Sequence, residues 1–544
     1  MGCPSDACGR SENIKEKEND DMKKWKHLSK KIAALVSASA LLLAAAGCGG
    51  TTANQDTTDD PNEQVTLKWI FVGPGEQKDS QKVWDKFNEE LANYLPNTTV
   101  EFQCISSADY AEKWKLASAS QENLDIVWHG WMIPYVSEVK KGSYMELDDL
   151  IEKVAPELKD AVPDKYLDKS RVDGKLYSIP CMQEMVSYVS SLDIPIDLYE
   201  KYKDRINVEE LANFFSSKET MDQECWDKIE GIIKMFKDGG DLTRGIWGFE
   251  NHVEKGYEWV TNPYKIKAAG DDYTVTNLYR TPEYETFINV YSDWFKKGYI
   301  RQDALTAENV GTEDYDLKGA GSYLVGQGYM PTQSEIDSKA AAGSTAYVKI
   351  PFDNWHYIPY AAAASNTAIS INSEHPERAM KLIALMNTEK GKDLYNLLVY
   401  GIEGEHYTKI NDNEIQPIGY TSQPTSDSPY GQYDWAIGNT FNGYEIYQEN
   451  KGLTLQNSFI QSVNDNAVDS KLRGFTLDTD PIKMELTQVQ AVMGEYTKSL
   501  NSGAASDPQG LYNEFVEKLK AAGDDKIVEE IQRQIDEWRA GNAQ

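Results

Sequence analysis

The chain has 544 residues, with 55 Lys and Arg against 87 Asp and Glu, a formal charge of −32 at pH 7. A surface so poor in cations repels phosphate backbones, whose binding rests on Lys and Arg, so nucleic acid is excluded as a partner and anionic ligands are disfavoured. The length exceeds what one hydrophobic core organises, so two lobes are expected, and nothing repeats at a solenoid period.

Residues 1–21 are polar and read as an upstream extension. From Met22 the sequence MKKWKHLSKKIAALVSASALLLAAAGCGG has a basic start, a largely apolar run and small residues before Cys48, the layout of a secretory signal. The apolar run Ile32 to Ala46 covers 15 residues, fewer than the roughly 20 that a membrane-crossing helix needs, so it reads as a signal to be removed. Ala45-Ala46-Gly47-Cys48 resembles a bacterial lipobox, apart from Ala45 where Leu is commoner; the resemblance implies cleavage before Cys48 and lipidation of its sulfur. Without residues 1–47, 497 residues of charge −34 remain. A flexible tether is expected over 48–64, where GGTTANQDTTDDPNE lacks apolar periodicity.

Val65 to Val72 reads as a strand, followed by the turn Gly73-Pro74-Gly75 and a helix with the apolar face Val83, Phe87, Leu91 and Tyr94. Thr99 to Ile105 is a second strand, Ala108 to Ser118 a helix, and Leu124 to Trp128 a third strand. This alternation predicts parallel strands joined by crossovers. Ligands collect at the carboxyl ends of such strands, which makes Gly75 to Lys78 and Trp128 to Trp131 candidates by position. Past Gly174, LYSIPCMQEMVSYVSSL is strand-like and long enough to leave one lobe and enter another. Helices are expected at 195–218, 222–238 and 282–297, with strand-like Gly245 to Phe249 between them. Further crossings are expected at Ser322 to Val325 and around Trp355 to Ile371, then a helix over Pro376 to Met386. The apolar Leu394 to Val399, a polar region at 402–470 and helices near 481–500 and 508–538 complete the chain. Cys104, Cys181 and Cys225 are scattered and read as buried small hydrophobes, not a disulfide frame.

The stretch DGKLYSIPCMQEMVSYVSSLD at 173–193 resembles the segment by which extracellular solute-binding proteins of the maltose-binding class pass between lobes. NLDIVWHGW at 123–131, SNTAISINSEHPERAMKLIALM at 365–386 and LYNLLVYGIEGEHY at 394–407 agree with that family. The last of these, with RGFTLDTDPIKMEL at 473–486, is similar to the LplA-like lipoproteins of Gram-positive gut and soil bacteria. The resemblance implies an α/β, two-lobed periplasmic-binding-protein-like fold with hinge-crossing strands and additional C-terminal helices. The boundaries expected are 65–182 with 316–358 for the first lobe, and 183–315 with 359–544 for the second. It further implies a lipid-anchored receptor on the outer face of the cell membrane, serving ABC permease subunits and an ATPase. No Gly-x-x-x-x-Gly-Lys-Ser/Thr loop is present, so those must be separate chains.

A sugar shows apolar C–H faces ringed by hydroxyls, so its site needs aromatic platforms and fixed polar groups. With 32 Tyr and 13 Trp against 14 Phe, the chain is rich in aromatics carrying a polar handle. Trp128 and Trp131 flank His129-Gly130 at a strand's carboxyl end and are the leading platforms, with His129 a hydroxyl partner; core packing is the alternative for all three. By the resemblance, Glu184 falls where maltose-binding relatives place a ligand carboxylate, with Gln183 its neighbour; a salt bridge at the hinge is the alternative. Gln77 and Lys78 open the first helix. Tyr257, Trp259, Tyr329, Trp355 and Tyr357 are the remaining aromatic candidates.

The expected function is capture of a neutral sugar or oligosaccharide by a monomeric binding protein, without cofactor or metal and without turnover. The competing readings are an extracellular glycoside hydrolase, which would need two carboxylates in a cleft, and a peptide-binding or sensing lipoprotein. No His-Glu-x-x-His or Gly-x-Ser-x-Gly occurs, and Asp478-Thr479-Asp480 lacks the continuation of a calcium loop and reads as a turn.

Overall fold

The computed structural model describes residues 59–186, 190–242, 246–247, 250–306, 324–325, 347–353, 357–359, 365–421, 423–447 and 457–542. Cys48, Tyr329 and Trp355 lie outside these residues, and for Tyr357 only its backbone, in the short strand Tyr357–Ile358, is described.

Strand β1 (Val65–Gly73) carries VTLKWIFVG, β-branched and aromatic residues suited to a pleated surface, and is buried on both faces over its second half. Helix α1 (Ser80–Leu91) returns over it with Val83, Trp84, Phe87 and Leu91 buried, then β2 (Thr98–Ser106) pairs parallel to β1 over its full length. Helix α2 (Tyr110–Ala119) leads to β3 (Ile126–Gly130), again parallel to β1. The chain continues through α3 (Tyr135–Lys140) to β4 (Ile179–Pro180), then enters a second sheet as β5 (Ser191–Pro195). This is the crossing expected of the 173–193 stretch.

Around β5 pair β6 (Leu324–Val325) and β7 (Tyr347–Pro351), both antiparallel to it. Strand β8 (Ser365–Ile369) then inserts between β3 and β4, antiparallel to each, giving the first sheet the order β2-β1-β3-β8-β4. Helices α4 (Pro376–Asn387) and α5 (Lys392–Tyr400) follow on the first sheet's side.

Buried apolar side chains form two clusters. One holds residues from 65–186 together with 358 and 368–437; the other holds 192–304, Ile350, Phe352 and 472–535. The lobe boundaries differ from those expected: β6 and β7 belong with the second core, and 365–447 belongs with the first. Strand pairing decides this, because β7 bonds β5 over five residues while β8 completes the first sheet. The expected tether is also shorter, because Asp59 is clamped by Arg378 and Lys381 of α4 at 2.7 and 2.6 Å.

The C-terminal segment adds three helices to the second core, Lys483–Asn501, Pro508–Ala521 and Asp524–Asn542. A single helix near 508–538 was expected; the break falls at Gly523, whose φ of +96° suits glycine alone. Asp524, fully buried, accepts from Tyr264, Asn277 and Arg280 and ties this segment to the lobe. Cys104, Cys181 and Cys225 are free and buried, as read from their spacing.

Candidate functional site

A cavity of about 880 Å³ opens where the two cores meet, within the range of roughly 300–1,000 Å³ typical of ligand pockets. The first core contributes His129 and Gly130 at the end of β3, Trp131 and most of 133–141 beyond it, and Lys169 and Arg171; the crossing segment contributes Gln183, Glu184, Met185 and Val186. The second core contributes Val260, Thr261 and the run Phe475 to Asp480 with Lys483.

Trp131 lies just past the carboxyl end of β3 and is 61% exposed, unusual for an indole beside a large core. It is propped edge-on by Trp128 at 5.5 Å and at a tilt by Trp435 at 5.4 Å, with Tyr433 stacked behind Trp435. The exposed face is therefore a platform held rigid from beneath, suited to a sugar's C–H face.

Trp128 does not share that role. It is fully buried, its indole N–H donates to Ser365 Oγ at 2.6 Å, and it is absent from the lining. Within β3 the side chains are enclosed by the flanking strands and helices, and only after the strand ends does an indole reach the cavity. His129 lines the cavity, but it is buried between Tyr135 and Tyr144 with Nδ1 2.9 Å from the Tyr144 hydroxyl. Burial pushes its imidazole down to about 4, so it is neutral near pH 7.

Glu184 is presented by a segment pinned on both sides. The Asn464 side chain accepts from the Met185 N–H and donates to the Gln183 carbonyl, and Thr440 donates to the Met182 carbonyl. Glu184 Oε1 is buried without a hydrogen-bond partner. Burial pushes its carboxyl up to about 7. No salt bridge at the hinge engages it among the described residues. A buried carboxylate without a partner is costly, and a ligand hydroxyl would satisfy it.

Gln77 and Lys78 are not in the cavity. Gln77 is buried and fully engaged: its N–H donates to Ser80 Oγ, its amide N–H to the Thr425 carbonyl, and its Oε1 accepts from Gly431 N–H. The segment 425–432 thus covers this end of the first sheet, where Gly73 leaves room for Cys104 and Gln432. Lys78 is exposed and does not line the cavity. Tyr257 and Trp259 are likewise engaged elsewhere, donating to Glu283 and Glu254 with Lys267 and Lys265 over their rings. Their strand reaches the cavity only through Val260 and Thr261.

Three features escaped the sequence reading. Lys169, at the short turn Asp168–Ser170, lines the cavity with 9% exposure and no partner among the described residues, and burial pushes its ammonium down to about 7. Tyr135 forms part of the wall, its hydroxyl donating to the Ser170 carbonyl. Asp478 crosses the cavity mouth to Lys140 at 2.7 Å, while its Oδ1 accepts from the Asp480 N–H, making the turn expected there. The RGFTLDTDPIKMEL stretch thus supplies a wall of the cavity, a role its family likeness did not specify.

A family model described as a domain of unknown function, DUF3502, matches residues 471–540, which include that wall and the C-terminal helices. A carbohydrate ABC transporter substrate-binding protein of Streptococcus pneumoniae serotype 4 is 25% identical over 533 residues, 95% of this chain and 99% of its own length. The solved N-glycan transport solute binding protein NgtS of Streptococcus pneumoniae is 22% identical with a TM-score of 0.67, covering 87% of this chain and 98% of its own. Its complex with Man1GlcNAc is 22% identical with a TM-score of 0.60, covering 87% and 99%. The chain has the fold of the ABC-transporter solute-binding proteins, and a relative that it resembles over 95% of its length is named as a substrate-binding protein.

Proposed function

We propose that the chain captures a sugar or oligosaccharide in the cavity between its two cores and hands it, intact, to an ABC importer. The observation that carries this reading is the pairing in one cavity of an exposed, rigidly backed indole, Trp131, with the unpartnered buried carboxyl of Glu184. The named carbohydrate specificity of the end-to-end relative, and the glycan held by NgtS, support the same ligand class.

The lipobox-like Ala45-Ala46-Gly47-Cys48 supports anchoring of the chain through a lipid on Cys48 at the outer face of the membrane, in a Gram-positive cell. Among the described residues no helix is long and apolar enough to cross a membrane. Permease and ATPase are then separate partners, and the receptor itself acts as a monomer.

Calorimetric titration with manno-, xylo-, gluco- and galacto-oligosaccharides tests the ligand class. Saturable binding of at least one series, with the glycan recovered unshortened, is expected. Heat from peptides and from no glycan, or shortening of any glycan, would defeat the reading in favour of a peptide receptor or a hydrolase.

A further inference from the structure

The net charge of the whole chain argues for a neutral ligand, yet the cavity has the opposite balance. Its lining holds five cationic side chains, Lys140, Lys141, Lys169, Arg171 and Lys483, against the three acids Glu184, Asp478 and Asp480. Counted over the lining side chains alone, cations outnumber acids, in a chain with 87 acids and 55 bases.

Three of the cations are matched. Lys140 pairs with Asp478, Lys141 with Glu138, and Arg171 with Asp148 and Asp168. Lys483 is exposed at the rim. Lys169 is different: nine-tenths buried, it meets no acid among the described residues. The neighbouring Asp168 cannot serve, because its two oxygens accept from Arg171 and Arg473. A largely buried lysine in the lining with no anion beside it is destabilising, and a built site that leaves one in place awaits its counter-charge from the ligand.

Glu184 does not supply that counter-charge. Glu184 Oε1 has no hydrogen-bond partner, and no ion pair joins Glu184 to Lys169 among the described residues. With its carboxyl pushed up to about 7, Glu184 is partly protonated near neutrality and offers an O–H to a sugar oxygen without opposing an anion. His129, which also lines the cavity, is neutral near pH 7.

We propose that the cavity selects a saccharide bearing a carboxylate, a uronic-acid type of sugar, and that Lys169 is the residue that distinguishes it from the neutral sugar. The inference rests on the sugar-binding reading above and makes it more specific.

The test uses oligosaccharides of the panel in two forms, ended by glucuronic acid or by glucose, titrated into the full mature chain and into the Lys169→Met and Lys169→Gln variants. The wild type is expected to favour the acidic form by about thirtyfold or more, the scale set by removing one partner of a buried charge pair. Both variants are expected to lose that preference, the acidic form weakening far more than the neutral form, and to melt at or above the wild-type temperature, because an unpaired buried charge has been removed. Equal or tighter binding of the neutral form by the wild type, or an acidic preference that survives both substitutions, would overturn the proposal while leaving sugar binding intact. Binding of neither form would overturn the sugar reading itself.

Discussion

Two tryptophans three residues apart separate packing from recognition. Trp128 is enclosed within β3 and bonded to Ser365, whereas Trp131 stands beyond the strand end with most of its surface free. Trp128→Ala is expected to cost about 3–5 kcal/mol of folding stability, the scale of deleting a large core aromatic, measured as a lower denaturant midpoint at unchanged slope. A loss below about 1 kcal/mol would place Trp128 outside the core. Glu184 makes a pH-dependent contribution whose sign is fixed. Its folded carboxyl holds a proton up to about 7, while the unfolded chain releases it near 4.5. The folded state therefore binds more protons in that window, and the contribution to stability is present below 4.5 and falls as pH rises to about 7. Glu184→Gln is expected to remove this decline, so the variant's melting temperature relative to wild type rises from pH 4.5 to 7; parallel profiles would show that Glu184 is solvated. Lys169, depressed from 10.5 to about 7, acts in the next window, where stability rises with pH. Trp131, just past an apolar strand-like run, and Glu184, within the 173–193 stretch that carries the family resemblance, both line the cavity and were singled out from the sequence. Lys169 was not, since a single lysine in DKSRV reads as a solvated charge, and only its burial and lack of an anion mark it.

At the scale of elements, the crossing segment depends on partners almost 300 positions away in sequence. Asn464 grips the backbone on both sides of Glu184 and also accepts, through its carbonyl, from Tyr166 and Lys165. Asn464→Ala leaves the Met185 N–H and the Gln183 carbonyl unpaired, so a stability loss of about 1–3 kcal/mol is expected. Ligand affinity should fall further than the stability loss alone explains, because Glu184 is no longer aimed; unchanged affinity in a folded variant would show that the crossing segment holds its shape without Asn464. The first three strands and their helices were readable because period-2 runs and amphipathic faces are local. The placement of β8 between β3 and β4, and of β7 beside β5, was not, because short apolar strands carry no mark of which sheet they join. That is why 347–353 and 365–447 fell to the wrong lobes in the sequence reading.

Over the whole molecule, the cavity is closed by contacts between groups from the two sides. Lys140 reaches Asp478, Asp168 accepts from Arg473, and Thr476 donates to the Arg171 carbonyl. These ion pairs are partly exposed, so each contributes little to folding, yet they act where opening and closing must occur. Lys140→Met is expected to raise the ligand dissociation rate severalfold and weaken its salt dependence, with a melting temperature close to wild type. A dissociation rate equal to wild type would remove the pair from closure. The two-lobed plan was legible from length and from the run at 173–193, whereas the contacts that close it join residues more than 300 positions apart. The most direct test of the account is to titrate wild type and Trp131→Ala with the oligosaccharide that binds best. Weakening by roughly 1–3 kcal/mol, as for loss of an aromatic stacking platform, is predicted, with the ligand-free melting temperature unchanged and the glycan recovered intact. Equal affinity in the two proteins would contradict the assignment of this cavity as the sugar site.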